Sequence, residues 1–372
     1  MPLSNKEALL QRHQANTLLN MPSPPPMMRS ETDLSADEFA APLDERIIAS
    51  TVEALEGGQT HYVDVPGIAP LREAIAETLN AAVGAVFSKA NIIVTAGMQE
   101  ARFLTLQMIG DLHGRVAAPS VVHPGVLKAL GVRALQLDRI SVVDERGLPT
   151  VDAIRAALEA GARLLYLESP SRLTGAAYSA DEVATLAALL AESEAGVIWD
   201  QGLSSWVPVK TFASLAAHRA IDGRVAVIGE AYPGIGLASW FIGYIAAPEA
   251  WVAPMQSQKQ IMAICTSTAS QYAALEASKL FPEARPARLA ALVELRQKLV
   301  ELAPRAGLKP IEGDAANVLA LRAIDGDGAR KLAALREAGF ALADGAEFGA
   351  PGVLRLSVTL GDTALKALQA LA

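Results

Sequence analysis

An α/β fold is predicted by this sequence: a large, mostly parallel sheet followed by a smaller α+β unit. Three observations carry that expectation. From about residue 46, short runs rich in Val, Ile and Leu alternate with longer stretches of helical period. The runs are apolar throughout, as in strands covered by helices on both faces. Near the C-terminus the order becomes strand, helix, strand, helix, with shorter elements.

The expected elements follow in chain order. Pro22, Pro24, Pro25 and Pro26 stiffen an extended arm, because proline fixes φ. Asn91–Thr95, Arg115–Ala118, Arg163–Glu168, Gly196–Asp200, Arg224–Gly229 and Ile242–Ala246 read as buried strands. Met98–Gly110 and Ala180–Glu192 read as helices between them. A long helical segment starts at about Met255, and another runs from Ala287 to Ala303. The C-terminal alternation is Asn317–Ala323, Ala329–Ala338, Val353–Thr359 and Thr363–Ala372. The expected division is an arm over 1–45 that packs with the small domain, a large domain over 46–285 and a small domain over 286–372.

Composition narrows the function. Of 372 residues, 51% are hydrophobic and 19% charged, enough apolar material for a large core. A net charge of −8 argues against nucleic acid as a partner. A single cysteine, Cys265, excludes an intramolecular disulfide and a cysteine-built metal cluster. No H-x-x-x-H spacing suggests a metal, and no G-x-S-x-G elbow or phosphate-binding P-loop is present. No run approaches the ~18 apolar residues of a membrane span, and the N-terminus has no signal-peptide core. The expectation is a cytoplasmic protein with no membrane contact.

Five segments, the first of them in two parts, then fall in a familiar order. Tyr62-Val-Asp-Val-Pro-Gly67 precedes Leu71-Arg72-Glu-Ala-Ile-Ala76, and Val94-Thr95-Ala96-Gly97-Met98-Gln99-Glu100-Ala101 follows. Ser169-Pro170-Ser171-Arg172-Leu173-Thr174-Gly175, Val197-Ile-Trp-Asp200 and Trp240-Phe241-Ile242-Gly243-Tyr244 complete the set. Together they resemble the signature segments of class I/II aminotransferases over about residues 50–360. The resemblance implies the fold-type-I aminotransferase architecture: a seven-stranded-type sheet, a small C-terminal domain and a homodimer.

It also implies where a pyridoxal phosphate (PLP) site would lie. Asp200 stands where the family holds the ring nitrogen, and Gly97 and Met98 stand at its phosphate loop. Arg355, in Val353-Leu-Arg355-Leu-Ser357, stands where the family grips the substrate carboxylate. A planar guanidinium suits that task. Tyr62 matches the residue that reaches the neighbouring subunit's phosphate. The other family positions are changed. The Schiff-base lysine falls on Pro233, or on Gly234 by the one-residue-shorter family spacing, the phosphate-binding serine on Glu230 and the phosphate-binding arginine on Phe241. The asparagine and tyrosine at the ring oxygen fall on Arg172 and Leu203, and the stacking aromatic on His123. No lysine lies between Lys210 and Lys259.

Plainer roles stay open. Asp200 could be a solvated strand-end aspartate, Gly97 and Met98 an ordinary tight turn, and Arg355 a strand arginine paired with an acid. Tyr62 could be a buried interface tyrosine, and His61 and His123 structural histidines.

Three functions compete. The expected one is a PLP-independent enzyme on a dismantled PLP site, with no cofactor and a small amino- or keto-acid carboxylate as ligand. Its catalytic candidates are His123, Tyr232 and Glu230, and its binding candidates are Arg355, Arg172, Asp200 and Tyr62. Histidine is chosen because it titrates near neutrality. The alternatives are a silent dimeric binding protein, and an aminotransferase homologue that binds PLP or its amine form (PMP) non-covalently through Gly97, Met98 and Asp200.

Overall fold

The computed structural model describes residues 32–36, 43–113, 115–132, 135–208 and 212–372. The proline run 22–26 lies outside them.

Seven strands form the large sheet: β1 (Ile92–Ala96), β2 (Arg115–Pro119), β3 (Gln136–Ile140), β4 (Leu164–Glu168), β5 (Gly196–Asp200), β6 (Val225–Glu230) and β7 (Ile242–Ala246). Their spatial order is β1-β7-β6-β5-β4-β2-β3. All neighbours pair parallel except β7, which is antiparallel to both β1 and β6. The wholly buried runs Leu164–Glu168 and Gly196–Asp200 occupy its centre, as their continuous apolarity demands. β3 was not expected. Gln136, Asp138 and Arg139 interrupt its apolar pattern, which an edge position tolerates because one side faces water.

Helices cover the faces: α1 (Glu45–Glu56), α2 (Ala69–Val83), α3 (Gly97–His113), α4 (Pro124–Val132), α5 (Val151–Glu159) and α6 (Ala180–Ala191). Local chemistry sets several starts. The Asp44 carboxylate accepts the Arg46 N–H at the head of α1, and Ser179 with Glu182 closes a capping box on α6.

The two expected helices after Met255 divide differently. α7 (Glu249–Ala263) stops where Ile264 takes a left-handed φ of 61°. α8 (Thr268–Leu302) then starts at the Ser267 cap and runs unbroken through Pro282 and Pro286. Its packing outweighs the two prolines. Ala273, Ala274, Ala277 and Phe281 join the large-sheet core, while Leu292 and Leu299 join the core of a second sheet.

That second sheet is antiparallel, in the order β10-β11-β9-β8. Its strands are β8 (Leu308–Pro310), β9 (Val318–Ala323), β10 (Ala343–Asp344) and β11 (Val353–Ser357), flanked by α9 (Gly328–Glu337) and α10 (Asp362–Gln369). The segment around Leu34 is pinned to it. The Leu34 N–H donates to Ala341 O, the Ser357 N–H donates to Leu34 O, and the Leu34 side chain is fully buried. Among the described residues, no helix is long and apolar enough to cross a membrane.

Candidate active site

Parallel strands end on the same side, so β2, β4, β5 and β6 deliver their C-terminal residues to one rim, the usual place for a ligand in an open α/β sheet. The small sheet faces that rim across a cleft of about 370 Å³. Arg102, His123, Arg172, Glu230, Phe241 and Arg355 line it.

Asp200, the last residue of β5, is fully buried. Its Oδ2 accepts from Tyr166 Oη at 2.6 Å, Arg102 Nη2 at 3.0 Å and Arg102 Nε at 3.2 Å, and its Oδ1 accepts from the Gly202 N–H at 2.9 Å. Burial alone would raise its pKa, but the Arg102 and Arg172 cations and these bonds hold it below the usual carboxylate range. Asp200 is therefore ionised and paired rather than solvated.

Register places Glu168 beside it, because Glu168 of β4 pairs with Asp200 of β5. Glu168 Oε1 accepts from the His123 N–H at 2.9 Å and Oε2 from the Arg172 N–H at 3.1 Å. One carboxylate thus fixes the backbone of two cleft residues. Burial, then the Asp200 charge, raise it from an ordinary 4.5 to about 7, against the opposing Arg102 cation and the two backbone bonds. A carboxyl with a raised native pKa adds stability that is full below its unfolded pKa and is lost as pH rises through about 7. Glu168→Gln should therefore gain on the wild type in melting temperature between about pH 5 and about pH 8. A difference that does not change with pH counts against this.

His123 is half-buried, its ring edge-on to Phe348 at 5.8 Å. Its Nδ1 accepts the Gly125 N–H at 3.0 Å. Burial, and then Arg102, Arg172, Arg355 and Lys128, push its pKa well below 6.5, so the ring is neutral and Nε2 carries the proton. Arg172 is buried, with Nη2 3.7 Å from Glu230 Oε1. It lies so close to Gly202 that a Cβ there would come within 2.6 Å of Nη1. Arg355, also buried, donates from Nε to Arg172 O at 2.7 Å and from Nη1 to Ser35 O at 3.3 Å.

Tyr232, with φ of 50°, lines both the cleft and an adjoining apolar cavity of about 140 Å³, its buried ring edge-on to Phe281 at 5.6 Å. Burial pushes its phenol up to about 12. Tyr62 is 79% exposed and does not line the cleft. Gly97 and Met98 open α3 at the cleft wall, with Phe241 against Gly97.

Three residues were not anticipated: Arg102, Tyr166 and Glu168. Signals existed. Arg102 falls on the face of α3 that carries Met98, Ala101 and Thr105, and Tyr166 and Glu168 share one face of an otherwise apolar strand. Among the described residues, no group of three or more His, Cys, Asp or Glu could hold a metal.

The family Aminotransferase class I and II matches residues 29–370, and the chain belongs to it. Its fold is aminotransferase fold type I, a seven-stranded, mostly parallel sheet with a second, small antiparallel one. The aspartate/prephenate aminotransferase of Thermus thermophilus is 27% identical over 350 residues, covering 90% of this chain and 88% of that protein. The aspartate aminotransferase of Thermotoga maritima is 23% identical, covering 87% and 86%. Among solved structures, aspartate aminotransferase from Thermus thermophilus with maleate superposes with a TM-score of 0.81 at 25% identity, covering 100% of this chain and 96% of that one.

These similarities overturn two expectations. The reading of a PLP-independent enzyme on a dismantled site is corrected, because near full-length likeness to named aminotransferases points to aminotransferase chemistry. The expectation of no cofactor falls with it, since the family points to PLP.

Proposed function

We propose that the chain is an aminotransferase-family protein whose cleft takes PLP or PMP without a covalent lysine link, together with an amino or keto acid carrying a second anionic group. The observation that carries this reading is the set of residues at the cleft. Counting along the motif assigns the family's lysine position to Pro233 or Gly234, and no lysine is among the described residues lining the cleft. The lysine that follows in the chain, Lys259, is committed to Glu100 at 2.7 Å and to Thr266 at 3.1 Å. The residues thus fit a cofactor held by charge and hydrogen bonds, and do not fit one held through a lysine.

Gly97 and Met98, at a helix N-terminus, would receive the phosphate. When bound, the cofactor supplies a reactive carbonyl or, as PMP, an amino group. The protein's own groups do the rest. Arg355 binds the α-carboxylate, Arg172 the second anionic group, and Glu230 an amine. The neutral His123 donates from Nε2. Calorimetry should find saturable PMP binding, and peptide mapping after borohydride treatment with PLP should find adducts at exposed lysines such as Lys279 and Lys309 alone. An adduct that PMP protects against, or no binding of either form, overturns the reading.

The carboxylate role has its own test. Arg355→Ala should weaken maleate binding about 30- to 1,000-fold. A variant that melts earlier but binds maleate as before would assign Arg355 to structure alone.

We propose a homodimer as well. Ile48, Val52 and Leu55 make an exposed apolar stripe along α1, and Tyr62 and Ile261 are exposed too. Contiguous apolar surface of this kind marks an association face. Light scattering at micromolar concentration should give twice the chain mass, and a monomer would end the idea. The division at residues 45 and 285, and a cytoplasmic location, are proposals drawn from the family resemblance alone.

A further inference from the structure

The wall that would meet a cofactor's ring nitrogen presents a guanidinium donor in place of a carboxylate. Arg102 lines the cleft, whereas Asp200 is fully buried and is not among the lining residues. Three bonds converge on Asp200 Oδ2, two from Arg102 and one from Tyr166, and the Gly202 N–H takes Oδ1. The family position whose acid elsewhere holds a protonated ring nitrogen is here satisfied from within the chain. Arg102 keeps Nη1, with two N–H donors, outside these bonds, and no partner for it occurs among the described residues.

Guanidinium does not give up its proton in proteins, so Arg102 can only donate. A pyridinium N–H at this wall would face another donor, with the Asp200 carboxylate behind it already satisfied. An unprotonated ring nitrogen would instead accept from Arg102.

We propose that this cleft selects the pyridine ring with its nitrogen unprotonated, and that Arg102 is the residue that enforces the selection. The proposal rests on the reading that the cleft takes the cofactor. An unprotonated ring withdraws electrons less strongly than a pyridinium, so the site trades electron-sink power for a neutral ring. Arg172 adds to the bias, as a second guanidinium close enough to lower the Asp200 pKa.

The test uses PMP labelled with ¹⁵N in the ring, because the nitrogen resonance separates pyridine from pyridinium. Bound to the wild-type protein, the label should stay at the pyridine position from about pH 6 to about pH 8. Arg102→Leu, which frees Asp200 toward the cleft, should move it to the pyridinium position. A pyridinium signal from the wild type overturns the inference and leaves cofactor binding intact. A label that titrates as free PMP, with no heat in calorimetry, overturns the cofactor reading and this inference with it. The wild-type measurement decides even if Arg102→Leu does not fold.

Discussion

Asp200→Ala should cost about 3–5 kcal/mol of stability, because it strands a buried guanidinium. The Arg102 and Asp200 side chains are 3% and 0% exposed. Removing the carboxylate leaves Arg102 with Tyr166 Oη, at 3.2 Å, as its remaining hydrogen-bond partner among the described residues. Tyr166 loses its 2.6 Å acceptor at the same time. Replacing both partners by apolar groups of similar volume, Asp200→Leu with Arg102→Met, should recover most of the loss, since neither charge is then left unpaired. Denaturant unfolding of the wild type and the two variants checks this. A cost below about 1 kcal/mol for Asp200→Ala would mean that water reaches the pair.

Gly349→Ala should cost about 3 kcal/mol or more. Gly349 has a φ of 94°, a region that alanine enters only with strain, and an added Cβ would lie 2.2 Å from the Ser120 carbonyl oxygen. Neither atom is the end of a flexible side chain, so the backbone must move. The junction matters because the neighbouring Phe348 carbonyl accepts the Val122 N–H at 2.9 Å and its ring rests on His123. The variant should therefore also shift the His123 ring resonances. A stability unchanged from the wild type would show that the junction yields without loss.

How much of this was readable depends on what each residue needs in order to be recognised. Gly196–Asp200 and Ile242–Ala246 are observed at their expected bounds, because strands buried on both faces write their burial as unbroken apolarity. β3 and the two-residue β10 carry no such mark. At the site, Asp200, Arg172, Glu230, His123 and Arg355 were nameable from motif order. Arg102 was not, since its role exists only where α3 lies against the end of β5. Glu168 was read as the end of a strand, and its bonds to His123 and Arg172 depend on loops that converge in three dimensions. The expectation of no cofactor gave a few altered positions more weight than similarity along 29–370.

The 35-residue helix α8 carries a mechanical consequence. At 1.5 Å per residue it is a rod of about 52 Å, seated at one end in the large-sheet core and at the other in the small-sheet core. A rotation of one sheet against the other loads this rod as a beam. Pro282 and Pro286 have no amide hydrogen, so the carbonyls of Ser278 and Pro282 go without their intrahelical donors. Bending there breaks the fewest hydrogen bonds. The beam's compliance is thus concentrated between its two anchorages, at the one stretch where the chain omits two rungs of its own ladder.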